Sequence, residues 1–145
     1  MLGIVLIVIS GCSTSAPKNP HMTLQEQAIE KSDETAGTQH KQVYEFDQYC
    51  KIVITENTYA QLLKDSLGFV EANPQKISLL ELREDESKKE VHIHYLLNEN
   101  NLETEVKIKV KRCEDEGVTA MIFCPKVWFS AHKEIIDAMM YSLEC

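Results

Sequence analysis

EVHIHYLLNENNLETEVKIKV, residues 90–110, carries the pattern on which the fold turns. Val91, Ile93 and Tyr95 alternate with polar residues, as do Val106, Ile108 and Val110. Successive side chains of a strand point to opposite faces, so a period of two marks a strand with one apolar face. Asn98-Glu99-Asn100-Asn101 separates the two runs with turn chemistry. Placing Leu97 opposite Leu102 sets Ile93 against Val106 and Val91 against Ile108. The same register sets Glu90 against Lys109 and His94 against Glu105, both favourable cross-strand pairs.

Working outward, Asn73-Pro74 punctuates the chain before a strand around Ile77–Leu82. Glu114-Asp115-Glu116-Gly117 forms a turn leading into a strand over Val118–Cys124. Further upstream, Tyr44, Phe46, Cys50, Ile52 and Ile54 share one parity and read as a single strand. Glu56-Asn57-Thr58 offers capping chemistry for a helix carrying Tyr59, Leu62, Leu63 and Leu67, with Gly68 as its stop. After Pro125, a closing helix over Ser130–Leu143 presents Ala131, Ile135, Met139 and Leu143 on one side. The order is strand, helix, four-strand antiparallel meander, helix. It predicts one α+β domain over residues 42–145, with both helices on one face of the sheet.

The N-terminus reads differently. Leu2–Ile9 is apolar apart from Gly3. Eight helical residues span about 12 Å, far short of a bilayer core of about 30 Å, so this is a signal-type segment and not a membrane span. Ile9-Ser10-Gly11-Cys12 follows: a branched apolar residue, two small ones and a cysteine. This run resembles the lipobox of bacterial lipoproteins, although Met1-Leu2 supplies no basic leader. The resemblance implies removal of residues 1–11, lipid on Cys12 and attachment to a cell membrane. Ser13 in the next position resembles lipoproteins carried to the outer membrane, facing the periplasm, in Gram-negative cells. From Ser13 to Lys41 the chain is polar and holds few large apolar residues, so residues 12–41 read as the lipidated cysteine and a flexible tether. Such a tether reaches about 30 Å. Thr23 and Glu26 have capping-box spacing for a turn of helix near Leu24–Lys31.

The formal net charge of −8 opposes binding to phosphate backbones, and no basic stripe with interleaved aromatics is present. Nucleic acid is therefore not an expected partner. Beyond Cys12 there are four cysteines, Cys50, Cys113, Cys124 and Cys145. An even number in an exported domain predicts two disulfides, with three connectivities open. No C-x-x-C or zinc-finger spacing occurs.

His92-Ile93-His94 is the one local constellation with metal-ligand character. Residues two apart on a strand share a face, so both imidazoles could approach zinc or copper, with His132 or Glu105 as a third ligand. Lys107, opposite His92 in the register above, opposes that. The acidic turns at Glu84-Asp85-Glu86 and Glu114-Asp115-Glu116 fall at one end of the sheet and are flanked by Lys88, Lys89, Lys111 and Arg112. They read as solvated turns. Trp128-Phe129, on a connector, has the character of an interface anchor.

Catalytic signatures are thin: there is no G-x-S-x-G, no H-E-x-x-H and no Gly-rich phosphate loop. The reading that results is a lipid-anchored, non-catalytic accessory protein of the cell envelope. It would contact another envelope protein near Trp128-Phe129 or along an unpaired sheet edge. The alternatives are a periplasmic metal-binding protein using His92 and His94, and a small envelope hydrolase.

Overall fold

The computed structural model describes residues 16–25 and 27–145. The expected signal segment and Cys12 lie outside the described residues. Seven strands and three helices follow in order: β1 (Ile29–Ala36), β2 (Gln39–Phe46), β3 (Cys50–Asn57), α1 (Tyr59–Ala72), β4 (Ile77–Asp85), β5 (Glu90–Glu99), β6 (Leu102–Cys113), β7 (Glu116–Pro125), α2 (Lys126–Ala131) and α3 (Lys133–Tyr141). All seven strands join one antiparallel sheet in the order β1-β2-β3-β7-β6-β5-β4. The fold is α+β.

Turn chemistry sets the register. Asn100 and Asn101 both take positive φ, 54° and 64°, and form the two-residue loop that matches strand twist. Glu99 therefore pairs with Leu102, and Ile93 faces Ile108 while Val91 faces Val110. The register expected from a four-residue turn is displaced by two residues. Because the displacement is even, every side chain keeps its face.

The single strand expected over Tyr44–Ile54 is a hairpin, β2 and β3, turning at Asp47-Gln48-Tyr49. Asp47 and Gln48 take φ of 52° and 61° there. Phe46 pairs with Cys50, four residues on, so parity runs unbroken through the turn and hides it.

The helices do not share a face. Leu62 of α1 packs with Val91, Ile93, Tyr95, Val106, Ile108 and Val110. Phe129, Ile136, Met139 and Met140 of α2 and α3 pack on the opposite side, with Tyr44, Ile52, Ile54 and Ile122. The expectation of one covered face is thus corrected to three layers, helix on sheet on helix. The cause lies in β7, where Val118, Ala120, Ile122 and Cys124 face α2 and α3 while Met121 and Phe123 face α1.

Thr58 caps α1, accepting from the Gln61 amide at 3.3 Å, as expected. Gly68 does not stop the helix, because Phe69 and Val70 continue to pack; the end comes at Asn73, before Pro74. The closing helix is broken at His132, whose Nδ1 hydrogen-bonds the Trp128 carbonyl at 2.9 Å. Of the expected face, Met139 and Leu143 are buried, whereas Ala131 and Ile135 are exposed and Ile136 is buried in place of Ile135.

Much of the expected tether belongs to the fold. Met22, Leu24 and Ala28 are buried in the core on the α2–α3 side. Ile29–Ala36 forms edge strand β1, where a helical turn was expected. Polar contacts fix this segment: His21 Nε2 meets Glu56 at 2.9 Å, His40 Nδ1 meets the other oxygen of Glu56 at 2.6 Å, and His40 Nε2 meets Asp33 at 2.6 Å. The Glu144 amide donates to the His21 carbonyl at 2.8 Å, tying the C-terminus to the same place.

Of the three open disulfide connectivities, the structure holds Cys50–Cys124 and Cys113–Cys145. The first links directly paired β3 and β7, and both its residues are fully buried. The second pins the C-terminus to the end of β6. Their loops interleave over sequence separations of 74 and 32. Chain-entropy arithmetic gives about 4 kcal/mol for either bridge alone.

α1 sits on β7 through Gly117, where a Cβ would meet the Tyr59 Cα at 3.0 Å and the Lys111 carbonyl at 3.1 Å. Gly117→Ala is expected to destabilise by about 1–3 kcal/mol in chemical denaturation. Gly68→Ala, which meets nothing within 4 Å, is expected to stabilise by about 0.5–1 kcal/mol. An unshifted midpoint for Gly117→Ala would contradict this seating of α1.

Candidate functional site

Burial on both faces leaves clefts beside the helices and the two edges of the sheet as places where chemistry can happen. The polar cleft, about 460 Å³, lies between α3 and β4–β6. At its centre Glu90 is 5% exposed and meets two lysines and an imidazole. Its Oε2 accepts from Lys111 Nζ at 3.0 Å and stands 3.3 Å from Lys109 Nζ, while Oε1 meets His92 Nε2 at 3.0 Å.

Burial pushes the Glu90 carboxyl up, but Lys111, Lys109 and His92 together outweigh it and hold Glu90 below its ordinary value. Burial pushes Lys109 down, further than a carboxylate shared with two other partners can lift it. Burial also lowers His92, favouring the neutral imidazole.

His92 and His94 do share a face, the one under α2 and α3. They are not aimed at one point: His92 turns to Glu90, and His94 Nε2 meets Glu105 at 2.6 Å with its ring stacked 5.8 Å from Phe129. The cross-strand neighbours are Lys109 for His92 and Lys107 for His94, one pair further along than the expected Lys107 opposite His92. His132, the other suggested ligand, pairs with Asp47. Among the described residues, no group of three His, Cys, Asp or Glu side chains is arranged to hold a metal ion.

Trp128 and Phe129 part company. Phe129 is 3% exposed and belongs to the core, so it cannot serve as an exposed anchor. Trp128 is 37% exposed and stacks on Tyr49 of the β2–β3 turn, ring centroids 4.6 Å apart. Much of its surface therefore holds that turn against α2. Tyr49, which the sequence reading missed, is the more open ring of the pair.

The two edges of the sheet differ in kind. β1 carries Glu30, Lys31, Asp33 and Glu34, and Lys31 pairs with Glu45. Charge on an edge discourages a further strand. β4 instead exposes Leu79, Leu80 and Leu82 at 47%, 52% and 54%. Its ladder to β5 is interrupted by a bulge between Leu79 and Glu81, and its other edge carries no strand among the described residues. The sequence reading placed a strand here but not a surface. The run Leu79-Leu80-Glu81-Leu82 was the available signal, since strict alternation would have hidden one of each pair of neighbours.

An open antiparallel sheet covered by helices on both faces defines the structural class. No protein-family model matches the chain, and no curated protein matches its sequence. Among solved structures it is similar to the solution structure of cyanobacterial PsbP (CyanoP) from Synechocystis sp. PCC 6803. The TM-score is 0.58 at 12% identity, over 81% of each chain. At that identity the likeness shows the fold alone.

The Glu90 cluster makes a testable claim. Glu90→Gln leaves Lys109 and Lys111 without their shared anion and is expected to cost about 3–5 kcal/mol near neutrality. Glu90 is held below its unfolded value, so its contribution is complete above pH 4.5 and disappears as pH falls through the lower folded value. The gap between wild type and Glu90→Gln, followed by denaturation across that range, should close on acidification. A gap that stays constant with pH would exclude the carboxylate as its source.

Proposed function

We propose that this protein is a lipid-anchored, non-catalytic accessory component of the cell envelope that binds another envelope protein through the β4 edge. The observation that carries the reading is the contrast between the two edges of one sheet. Both edges carry four charged residues, but β4 adds three half-exposed leucines beside its outer backbone groups where β1 exposes only Ile29. A partner segment adding as a further strand would satisfy those groups and cover the leucines. The lipobox-like Ile9-Ser10-Gly11-Cys12 supports the membrane anchor, on the outer membrane facing the periplasm in a Gram-negative cell. Two disulfides fit an oxidising compartment. The Tyr49–Trp128 surface would be a secondary contact.

The metal-binding alternative is disfavoured by the separate carboxylate partner of each imidazole and by Lys107 and Lys109 beside them.

Photo-crosslinkers placed at Leu80 and, for comparison, at Glu34 of β1 test the docking edge in cells. One dominant adduct from position 80, none from 34, and loss of the adduct in Leu79→Lys/Leu82→Lys are expected. Equal adducts from both positions, or adduct formation that depends on Trp128 and not on β4, would contradict the assignment. Cys12→Ser should abolish incorporation of labelled fatty acid; continued labelling would remove the anchor.

A further inference from the structure

On the face opposite the polar cleft, α1 covers only part of the sheet. Leu62, Asp65, Ser66 and Phe69 form one wall of a trough of about 380 Å³ whose floor includes Val53, Val106, Met121 and Phe123. That volume is within the range of small-molecule sites, and such sites combine an apolar body with a few placed polar groups.

Most of the polar groups of the floor gather at one end, with Thr104 at the other. Lys41, Thr55 and Thr119 are paired across β2, β3 and β7 in a single row and all line the trough. Lys41 and Thr119 are two strand spacings apart, about 10 Å. The next row along, Val53 with Met121 and Ile108, is apolar, and the one after sets Phe123 with Val106 and Tyr95, with the exposed Lys51 beside Phe123 on β3. Asp65 stands on the wall and is engaged by Gln61 Nε2 at 2.7 Å.

Thr119 is the telling residue. It is 6% exposed, in the central strand, and its hydroxyl has no hydrogen-bond partner among the described residues. An orphaned buried hydroxyl is costly, and a valine of the same shape would avoid the cost. One staggered step of χ1 would carry the hydroxyl to the position its methyl now holds and the methyl to that of the Cβ hydrogen, so a ligand at the trough can be met by either group. Tyr95, at the other end, has its pKa pushed up to about 12 by burial alone, as befits an apolar surrounding.

We infer that the trough beside α1 is a binding site for a single-chain amphiphile with a carboxylate head. The head would be received by Thr119 and Thr55 with Lys41 at the rim, and the chain would lie along Val53, Met121, Phe123 and Val106. This site takes in no residue of β4, although its far lining, Tyr95 and Leu97, pairs with Leu79 and Ile77 of that strand, and it does not depend on that edge binding a partner.

Decanoate, below its micellar concentration, is the probe, with decyltrimethylammonium as the opposite-charge comparison. Both would be titrated into the full oxidised chain and followed by amide and methyl chemical shifts. Saturable shifts centred on Val53, Val106, Met121 and Phe123 are expected for decanoate, with much weaker binding of the cation. Thr119→Val should raise thermal stability yet weaken decanoate about fivefold, the loss of one hydrogen bond, and Thr119→Ser should restore binding. Val53→Trp should fill the trough and abolish saturation. No saturable shift, equal binding of the two charges, or decanoate affinity unchanged in both Thr119→Val and Val53→Trp would overturn the inference.

Discussion

The rest of the structure depends on β7 being buried on both faces. It enters between β3 and β6, so the last strand of the chain becomes the middle of the sheet. Val118, Ala120, Ile122 and Cys124 on one face and Met121 and Phe123 on the other must each be covered. No single layer of helix can do both, and α1 therefore takes one side while α2 and α3 take the other. Cys50–Cys124 holds β3 and β7 together at their buried ends. Full burial of Val118 and Ile122, at about 1.5–3 kcal/mol each, with partial burial of Met121 and Phe123, makes this strand a large contributor to stability.

The surfaces follow from that arrangement. With β7 central, β1 and β4 are left as edges; both carry charge, and β4 alone adds a cluster of exposed leucines. α1 is a short cover over a wide sheet, which leaves a trough at its side lined by the partly buried Val53, Met121 and Phe123. On the other face α3 covers β6 only in part, and the charged row Lys107, Lys109 and Lys111 lies under its rim. Asp137, the Met140 carbonyl and Glu90 respectively satisfy those three lysines. The polar cleft is thus explained as a satisfied network, whereas the trough retains an unsatisfied hydroxyl at Thr119.

The α+β class and most element positions were legible in the sequence because the hydrophobic period is strong at residues 91–95 and 106–110. Register was not, since a turn through Asn98–Asn101 can close with either two or four residues, and only the positive φ of Asn100 and Asn101 decides. The β2–β3 hairpin was hidden by its even spacing, and β1 by the charges that guard an edge. The two-sided cover did leave a trace: Ala120-Met121-Ile122-Phe123-Cys124 is a continuous apolar run, the mark of a strand buried on both faces. Phe129 and Trp128 could not be told apart without the break at His132. The pairing of His21 and His40 with Glu56 joins residues distant in sequence and has no local signature.

β7 is the doubly covered heart of the sheet, while β4 is an open edge. Amide hydrogen exchange on the intact oxidised chain, read strand by strand, tests this most directly. β7 and its neighbours β3 and β6 should exchange slowest, and the outward-facing amides of β4 should exchange quickly in the isolated protein. Residues 21–24 and 29–36 should be measurably protected. If β4 were protected as strongly as β7 in the monomer, or β7 exchanged as fast as an edge, the assignment of core and docking edge would be wrong.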